Sequence, residues 1–290
     1  MDYYYKIQNA IEFIELNLNE NIGITEIASK ACFSAFHFQR LFQAISGFSV
    51  QGYIRRRRLS EAAIMLRETD KTILEIAVAF QYGSHEAFTR AFESCFGLTP
   101  TKYRKMQEHH INHLEKINFM DYGRKIQGDL NMDKPEITHV NKTYIVGCEY
   151  RTSLNDEKHF NEIPGFYDDF GRNEYYMRIP ERIAPAFPYG ISCNFQDDGR
   201  FSFVIGEVVR LPIAGLPNKF INLEIPGGKY AVFKIDGPVK IAQNTWRYIY
   251  GTWLPNSNYE RREGPDFEVT DVCNSVYPEK MSMKVYIPVR

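Results

Sequence analysis

Two pairs of neighbouring polar side chains, Gln39 with Arg40 and Thr89 with Arg90, have the chemistry needed to contact the edges of nucleic-acid bases. An arginine can donate two hydrogen bonds to a guanine, and a glutamine can pair in the same way with an adenine. Each pair falls in a stretch whose apolar residues are spaced as in a helix. Such side chains reach bases only when their helix enters a groove, so the elements that carry them decide the interpretation.

The two pairs belong to an internal repeat. The segment 24–28 (ITEIA) recurs 49 residues later as 73–77 (ILEIA), and the match then continues at an offset of 50 residues. The shared anchors are Ser34 and Ser84, Phe38 and Phe88, Arg40 and Arg90, Phe42 and Phe92, Gly47 and Gly97, and Tyr53 and Tyr103. Each copy predicts a short helix, a tight turn, and a second helix that begins at serine and ends at glycine. This layout indicates a helix-turn-helix, and the alternative is two plain helical hairpins with solvated outer faces.

Composition divides the chain into two parts. Pro100 is the only proline before residue 107, whereas the other thirteen follow residue 134 among β-rich runs. We predict an all-helical domain at 1–106, a linker at 107–133, and an α+β domain at 134–290 with helices near 158–177 and 238–251. The 35 basic and 36 acidic residues give a net charge of −1, which neither indicates nor excludes a nucleic-acid partner.

The chain has no membrane-spanning or signal-peptide pattern, and its five cysteines contain no CxxC pair. We therefore expect a soluble, cytoplasmic protein without a disulfide framework or thiolate zinc site. His109 and His113 have the four-residue spacing of a metal pair, with His110 between them. Beyond Glu108 they lack a carboxylate or cysteine partner, so a polar linker helix is the preferred interpretation. No metal and no cofactor are expected.

The stretch from about residue 7 to 105 resembles the DNA-binding domain of AraC/XylS-type transcription regulators. The motifs are YIRRRRL (53–59), IA (76–77), SHEAFTRAF (84–92) and GLTPTKYR (97–104). The resemblance implies two helix-turn-helix units joined by a long helix at about 50–67, which enter two major-groove segments about one turn apart. The implied reading sets are Phe36, Gln39 and Arg40, then His85, Glu86, Thr89 and Arg90. Lys102 and Arg104 are the expected phosphate contacts.

Three features depart from that family's pattern. Cys32 and Gln81 occupy turn positions where glycine is usual, so strained turns are expected. Val50 stands where proline often opens the joining helix, and Glu86 places an acid on a surface meant for DNA. Within the run Arg55–Arg58, we expect one or two members to form internal ion pairs with Glu61 or Glu26.

Residues 134–290 resemble the GyrI-like effector-binding domain. The motifs are YIVG (144–147), FPYG (187–190), IPGGKYAVF (225–233), YGTWLP (250–255), PDFEV (265–269) and VYIPV (285–289). The resemblance implies a βαββ unit used twice around a concave sheet, with a pocket for bulky, often apolar and cationic molecules. Glu268 matches the pocket glutamate of that family, and Tyr189, Trp253 and Phe166 are assigned to the pocket. The alternative is that Glu268 is a surface residue on an edge strand.

Together these features predict a transcription regulator, acting as an activator, that binds double-stranded DNA and a small-molecule effector and is not an enzyme. RNA polymerase is a further expected partner, and no membrane is involved. An enzymatic alternative gives Glu268 and Trp253 a role in hydrolysing reactive small molecules. A third alternative is that the C-terminal domain binds a protein partner.

Overall fold

The computed structural model describes residues 3–106, 113–119, 134–155, 158–196 and 198–290. Within these ranges, no helix combines the length and apolar character needed to cross a membrane. A helical N-terminal part is followed by an antiparallel sheet with helices, which confirms the predicted fold class. Most of the predicted linker at 107–133, including His109 and His110, lies outside the described residues.

The N-terminal part is built from helices α1 to α7. Their bounds are Tyr3–Leu16, Ile24–Lys30, Ala35–Ser46, Val50–Glu68, Ile73–Ala79, His85–Phe96 and Pro100–Lys105. Helices α2 and α3 form one helix-turn-helix, α5 and α6 form the second, and α4 joins the two units. Ser34 and Ser84 cap α3 and α6 by accepting a backbone N–H of the first turn, as the repeat predicts. Gly47 and Gly97 end these helices at φ of +75° and +74°, where a side chain would be strained.

The turns inside the two helix-turn-helix units adopt the conformation that glycine usually supplies. Cys32 has φ of +56° and Gln81 has φ of +65°, both in the left-handed region. A side chain in this region costs about 1 kcal/mol or more, so both turns are strained as expected. Gln81 compensates in part, because its amide donates a hydrogen bond to the carbonyl of Asn19. Cys32 is exposed and carries the same backbone strain.

The described residues of the C-terminal part form eight strands, β1 to β8. Their bounds are Glu136–Val140, Thr143–Ser153, Tyr189–Cys193, Arg200–Val209, Phe220–Ile225, Gly228–Gly237, Asp266–Thr270 and Met281–Pro288. Helix α8 spans Lys158–Arg172 and is followed by a 3₁₀ turn at Tyr175–Arg178. Helix α9 spans Val239–Tyr248 and continues through a π turn at Ile249–Trp253 into the short α10, Leu254–Asn256. Both helices fall where the sequence predicts them.

The strands form one antiparallel sheet in the order β1-β6-β8-β7-β3-β4-β2-β5. The units β2-α8-β3-β4 and β6-α9-β7-β8 have the same connection and the same relative strand order. They meet where β3 pairs with β7, with Gly190 opposite Glu268. One further strand precedes each unit in the chain, β1 before the first and β5 before the second. Each of these strands pairs with the other unit, β1 with β6 and β5 with β2. The sheet therefore has an approximate two-fold symmetry about the β3–β7 seam.

The two helix-turn-helix units are anchored differently. The second unit has its own core, which includes Phe88, Phe92 and Tyr103. The first unit shares one continuous core with the sheet, in which Phe38 and Phe42 belong to the same cluster as Tyr250. A Cβ atom on Gly251 of the π turn would lie 3.2 Å from the carbonyl oxygen of Ala44 in α3, which shows how closely the two parts pack.

Candidate functional site

A cavity of about 310 Å³ opens between helices α8 and α9 above the β3–β7 seam. Its apolar wall is contributed mainly by Phe160, Ile163, Pro164, Ala242, Met281 and Met283. Polar side chains reach the cavity from several elements, among them Tyr167, Ser192, Trp246, Glu268, Thr270 and, from the helical part, Arg40. His159, Asp168, Gln243, Ser275 and Tyr277 also belong to its wall. An apolar cavity of this size with a few convergent polar groups is typical of a site for a small organic molecule.

Glu268 is the acidic group in the depth of this cavity. It lies on β7, is 7% exposed, and accepts a hydrogen bond from the hydroxyl of Tyr167 with an Oη–Oε1 distance of 2.9 Å. The indole of Trp246 also lines the cavity and favours the charged carboxylate. Burial raises the pKa of Glu268 to about 7, and the Tyr167 and Trp246 donors, together with the positive charge of Arg40, limit the increase.

Gly190 makes room for this arrangement. A Cβ atom at Gly190 would lie 2.3 Å from the hydroxyl oxygen of Tyr167, 2.6 Å from Cζ of Phe203 and 2.9 Å from Cγ of Glu268. Only a residue without a side chain allows Tyr167 to cross the seam and reach the carboxylate. The absence of a side chain at Gly190 on β3 thus leaves the space in which the Tyr167 hydroxyl meets Glu268.

Arg40 reaches the same cavity from α3. Its Nη2 donates to the hydroxyl of Ser192 at 3.1 Å, and its guanidinium lies 5.0 Å from the ring centroid of Trp246. The rings of Phe195 and Phe201 lie at 5.5 and 5.6 Å. Arg40 is only 8% exposed, and burial lowers its pKa although the guanidinium stays charged at neutral pH. Its Nε–H has no hydrogen-bond partner among the described residues.

The rest of the first predicted reading set is also covered by the C-terminal part. Phe36 packs on Phe195 with ring centroids 4.1 Å apart, and the amide of Gln39 donates to the carbonyl of Gln196 at 3.2 Å. Gln43, on the same face of α3, donates to the carbonyl of Leu154 at 2.8 Å. In this conformation DNA cannot approach the face of α3 that the sequence assigns to base reading.

The second predicted reading set is accessible. His85, Glu86 and Arg90 are exposed on α6, and Thr89 is half-buried with no partner for its hydroxyl oxygen among the described residues. Backbone and Ser84 hydrogen bonds at the start of the helix lower the pKa of Glu86, so this side chain is negatively charged. The accessible face of α6 thus presents the cation of Arg90 beside the anion of Glu86, whereas the hydroxyl oxygen of Thr89 is buried.

The two expected phosphate contacts differ in their surroundings. Lys102 is exposed, as a phosphate contact requires. Arg104 instead donates from Nε and Nη2 to the carbonyls of Leu66 and Lys71, so it fastens the end of α4 to the following turn. Its guanidinium is occupied by the protein itself.

Two members of the arginine run at 55–58 are used inside the protein, whereas Arg55 is exposed. Arg57 forms an ion pair with Glu61, as predicted, and a second with Glu15 that the sequence does not indicate. Arg58 donates to the carbonyls of Leu18 and Glu20. The run therefore ties α4 to α1 and to the chain that follows it.

Three aromatic residues assigned to the pocket from sequence lie elsewhere. Tyr189 points to the opposite face of the sheet and stacks on Phe267, because it alternates with the cavity-facing Gly190. Phe166 is buried against Tyr150 on the other side of α8 from the cavity. Trp253 packs on Phe233 in the core shared with the helical part. The assignment of these three side chains to the cavity was wrong.

The aromatic groups that do line the cavity are Phe160, Tyr167, Phe203, Trp246 and Tyr277. Trp246 follows Ala242 by one helical turn on the predicted helix 238–251, so its orientation could have been inferred from helical spacing. Arg40 carries no such signal, since its contact with the cavity depends on packing between α3 and residues more than 150 positions away.

Within the part of the chain that the structure describes, no group of three or more His, Cys, Asp or Glu side chains could hold a metal ion. His113 is described and its ring nitrogen lies 3.3 Å from the hydroxyl of Tyr103. The other two histidines of the cluster, His109 and His110, lie outside the described residues.

Comparison with known proteins matches both parts of the chain. The family model of integron-associated effector binding proteins matches residues 136–289, and a helix-turn-helix domain model matches residues 27–106. The chain is 26% identical over 302 residues to the right origin-binding protein of Escherichia coli strain K12, with 100% of both chains covered. It is 25% identical over 299 residues to the transcriptional regulator Rob of Salmonella typhimurium, again over 100% of both chains. The probable transcription factor PqrA of Proteus vulgaris is 40% identical over 101 residues, which cover 34% of this chain and 83% of PqrA.

The paired helix-turn-helix units and the cavity-bearing sheet define a DNA-binding transcription regulator of AraC type with an effector-binding domain. The chain belongs to the family of integron-associated effector binding proteins.

Proposed function

We propose that the cavity between α8 and α9 binds a bulky, apolar, positively charged molecule, and that its occupancy controls transcription. The observation that carries this proposal is the position of Glu268, a buried carboxyl in an apolar cavity. Even with the Tyr167 and Trp246 donors and the charge of Arg40 nearby, burial disfavours the charged form of this carboxyl, and a bound cation compensates for that cost. The aromatic rings of Phe160 and Trp246 add cation–π attraction for the same ligand.

The hydrogen bonds to Glu268 favour its charged form and orient it. Tyr167 on α8 donates to one carboxylate oxygen, and Trp246 on α9 favours the charged form from the other side of the cavity. Because the cavity wall contains residues from both halves of the domain, a ligand that fills it would touch both halves. Neutral or anionic molecules of the same shape lack this interaction and should bind more weakly.

On the DNA side, we propose that α6 supplies the base contacts through His85, Glu86, Thr89 and Arg90, with Lys102 on phosphate. The expected pair of major-groove segments would require α3 as well, whose predicted reading face is covered. With α6 alone, the recognised site is one short segment. Activation of transcription and contact with RNA polymerase are part of this proposal and rest on the family resemblance.

A thermal-shift experiment tests the ligand proposal with molecules that share one ring and differ in charge. The cation is (4-isopropylphenyl)trimethylammonium, the anion is 4-isopropylbenzenesulfonate and the neutral compound is 4-isopropylbenzyl alcohol. A ligand present at about 100 times its Kd and binding only the native state adds about 2.7 kcal/mol of stability. We expect the cation to raise the melting temperature of wild type, and the other two compounds to have little effect.

Glu268→Gln removes the charge with little change in shape, so this variant should lose the response to the cation. Glu207→Gln is the matched control, because Glu207 is also a buried carboxyl but lies outside the cavity. Equal stabilisation of wild type and Glu268→Gln by the cation would contradict the proposed role of Glu268. If no compound stabilises wild type, the effector proposal fails as a whole.

A further inference from the structure

The side chains of α3 that the sequence assigns to base reading donate their hydrogen bonds to the C-terminal part. The amide of Gln39 donates to the carbonyl of Gln196, and the guanidinium of Arg40 donates to the hydroxyl of Ser192. An amide and a guanidinium make the same kind of bond to acceptors on base edges. A DNA groove can therefore replace these acceptors, but it cannot share α3 with them. Docking of α3 and base reading by α3 exclude each other.

The segment that covers α3 is continuous with the effector cavity. It comprises residues 192–196, which are the end of β3 and the turn that follows it. Ser192 lines the cavity. The ring of Phe195 packs on Phe36 with centroids 4.1 Å apart, and its centroid lies 5.5 Å from the guanidinium of Arg40. Contact with α3 thus begins in the cavity wall itself, so a change inside the cavity acts directly on the docked helix.

A cation in the cavity would compete with Arg40. The guanidinium of Arg40 lies 5.0 Å from the ring centroid of Trp246, and its charge favours the ionised form of Glu268. The proposed ligand brings a second positive charge to the same indole and the same carboxylate. One carboxylate neutralises only one of the two cations, and their repulsion is stronger in a buried site than in water. Ligand binding therefore weakens the contact between Arg40 and the effector domain.

We propose that the docking of α3 on residues 192–196 is an autoinhibitory contact, and that a cation bound at Glu268 releases it. This inference rests on the proposed effector function and adds the direction of its control. Without ligand, α6 alone reads DNA and the recognised site is one short segment. With ligand, α3 is released and reads a second segment about 10 bp from the first.

Selection from random DNA, with and without ligand, measures the length of the recognised site. The full-length protein should enrich one segment alone and two segments with (4-isopropylphenyl)trimethylammonium, whereas the anion 4-isopropylbenzenesulfonate should leave one. On a duplex with both segments, the cation should tighten DNA binding about tenfold, since coupled sites usually affect each other by roughly 5- to 150-fold. The duplex should tighten binding of the cation by the same factor, because coupling between two sites is reciprocal.

A disulfide between α3 and the π turn can hold the docked state without changing a predicted reading residue. A Cβ atom at Gly251 would lie 3.8 Å from Cβ of Ala44, a separation typical of disulfides. In the double variant Ala44→Cys with Gly251→Cys, the oxidised protein should select one segment whether or not the cation is present. The reduced form of the same variant is the matched control and should gain the second segment with the cation.

Phe195→Ala tests the contact from the side of the effector domain. It removes the ring that packs on Phe36 but changes neither α3 nor the cavity wall. This variant should select two segments without any ligand, and the cation should then tighten DNA binding less than it does in wild type. Phe187→Ala is the matched control, because Phe187 is 44% exposed and precedes β3 at the end remote from the covering segment. It should behave as wild type does.

The outcomes separate this inference from the effector proposal. If the cation binds but wild type selects the same site with and without it, the autoinhibitory role is overturned while the effector proposal stands. Two segments selected by ligand-free wild type, or by the oxidised disulfide variant, would also overturn it, because docking would then not prevent base reading by α3. If the cation does not bind, the effector proposal fails and release by ligand fails with it.

Discussion

The guanidinium of Arg40 lies 5.0 Å from the ring centroid of Trp246, so a side chain of the DNA-binding part meets a side chain of the effector-binding part across one wall of the cavity. The same indole also favours the charged form of Glu268. A molecule that displaces or reorients Trp246 therefore changes the surroundings of both the buried carboxylate and helix α3. No long chain of intermediates is needed to connect the cavity with the helical part.

Stability should fall as the pH rises through the pKa of Glu268. Burial raises this pKa from an ordinary 4.5 to about 7, so the native state holds a proton that the unfolded chain has already released. The resulting stabilisation is complete below the unfolded pKa and is lost as the pH rises through about 7. Urea unfolding of wild type and Glu268→Gln between about pH 5 and pH 8.5 should show the variant gaining relative stability towards the alkaline end.

The same titration predicts the pH dependence of ligand binding. The cation pairs with the carboxylate form, whose population rises about tenfold between roughly pH 6 and pH 8 when the pKa is about 7. The affinity of wild type for (4-isopropylphenyl)trimethylammonium should rise accordingly, and that of Glu268→Gln should stay flat. A pH-independent affinity in wild type would show that the carboxylate does not meet the cation.

Gly190→Ala should disrupt the centre of the cavity. The added methyl group would collide with the hydroxyl of Tyr167 and with Phe203, so we expect a loss of about 1–3 kcal/mol in the free energy of unfolding. Adding Tyr167→Phe should recover part of this loss, since the closest colliding atom is then removed. Gly171→Ala is the control: Gly171 is exposed on α8 with no atom near its Cβ position, and alanine there should be neutral or slightly stabilising.

Substitutions of Arg104 and Lys102 should affect different properties, the first the stability of the fold and the second DNA binding. Arg104→Ala removes two hydrogen bonds to backbone carbonyls and should lower the free energy of unfolding by about 1–3 kcal/mol. Lys102→Ala should leave stability unchanged. It should reduce the slope of the logarithm of the DNA-binding constant against the logarithm of salt concentration by about 1, the value for one phosphate contact. Denaturation curves and a salt titration of both variants measure these effects. The reverse pattern would place Arg104 on DNA.

Cys32→Gly should stabilise the protein. Glycine relieves the left-handed strain at φ of +56°, and a gain of about 1 kcal/mol is expected because the thiol that glycine removes is exposed. Cys32→Ala is the matched control, since it removes the thiol but keeps the Cβ atom that causes the strain. If alanine stabilises as much as glycine, the gain comes from loss of the thiol and the turn is not strained.

The elements that could be predicted from sequence are those with local signals. Periodic phenylalanines, serine caps and the repeat place α3 and α6 correctly, because capping and amphipathic spacing act within one helix. The same spacing shows that Arg40 faces away from its own helical core, but it does not show which surface covers that face. This depends on Ser192 and Trp246, whose distance from Arg40 is set by the packing of the whole chain.

The residues that line the pocket could also be predicted only in part. Glu268 lies in the cavity because its position is fixed by the pairing of β7 with β3, and its motif indicates a pocket position through the family resemblance alone. Tyr189 and Trp253 have equally suitable side chains, but strand alternation turns the first to the other face and the π turn carries the second into the shared core. Residue type alone could not distinguish Trp253 from Trp246.

The exchange of first strands between the two halves of the sheet has a consequence for how the effector domain unfolds. Strand β1 precedes the first unit in the chain but forms the edge beside β6 of the second unit. Strand β5 precedes the second unit but forms the edge beside β2 of the first. A cut in the loop between β4 and β5 would leave both fragments with an unpaired edge. The two halves should therefore unfold together, so that a molecule bound at the seam stabilises the outer edges of the sheet along with its centre.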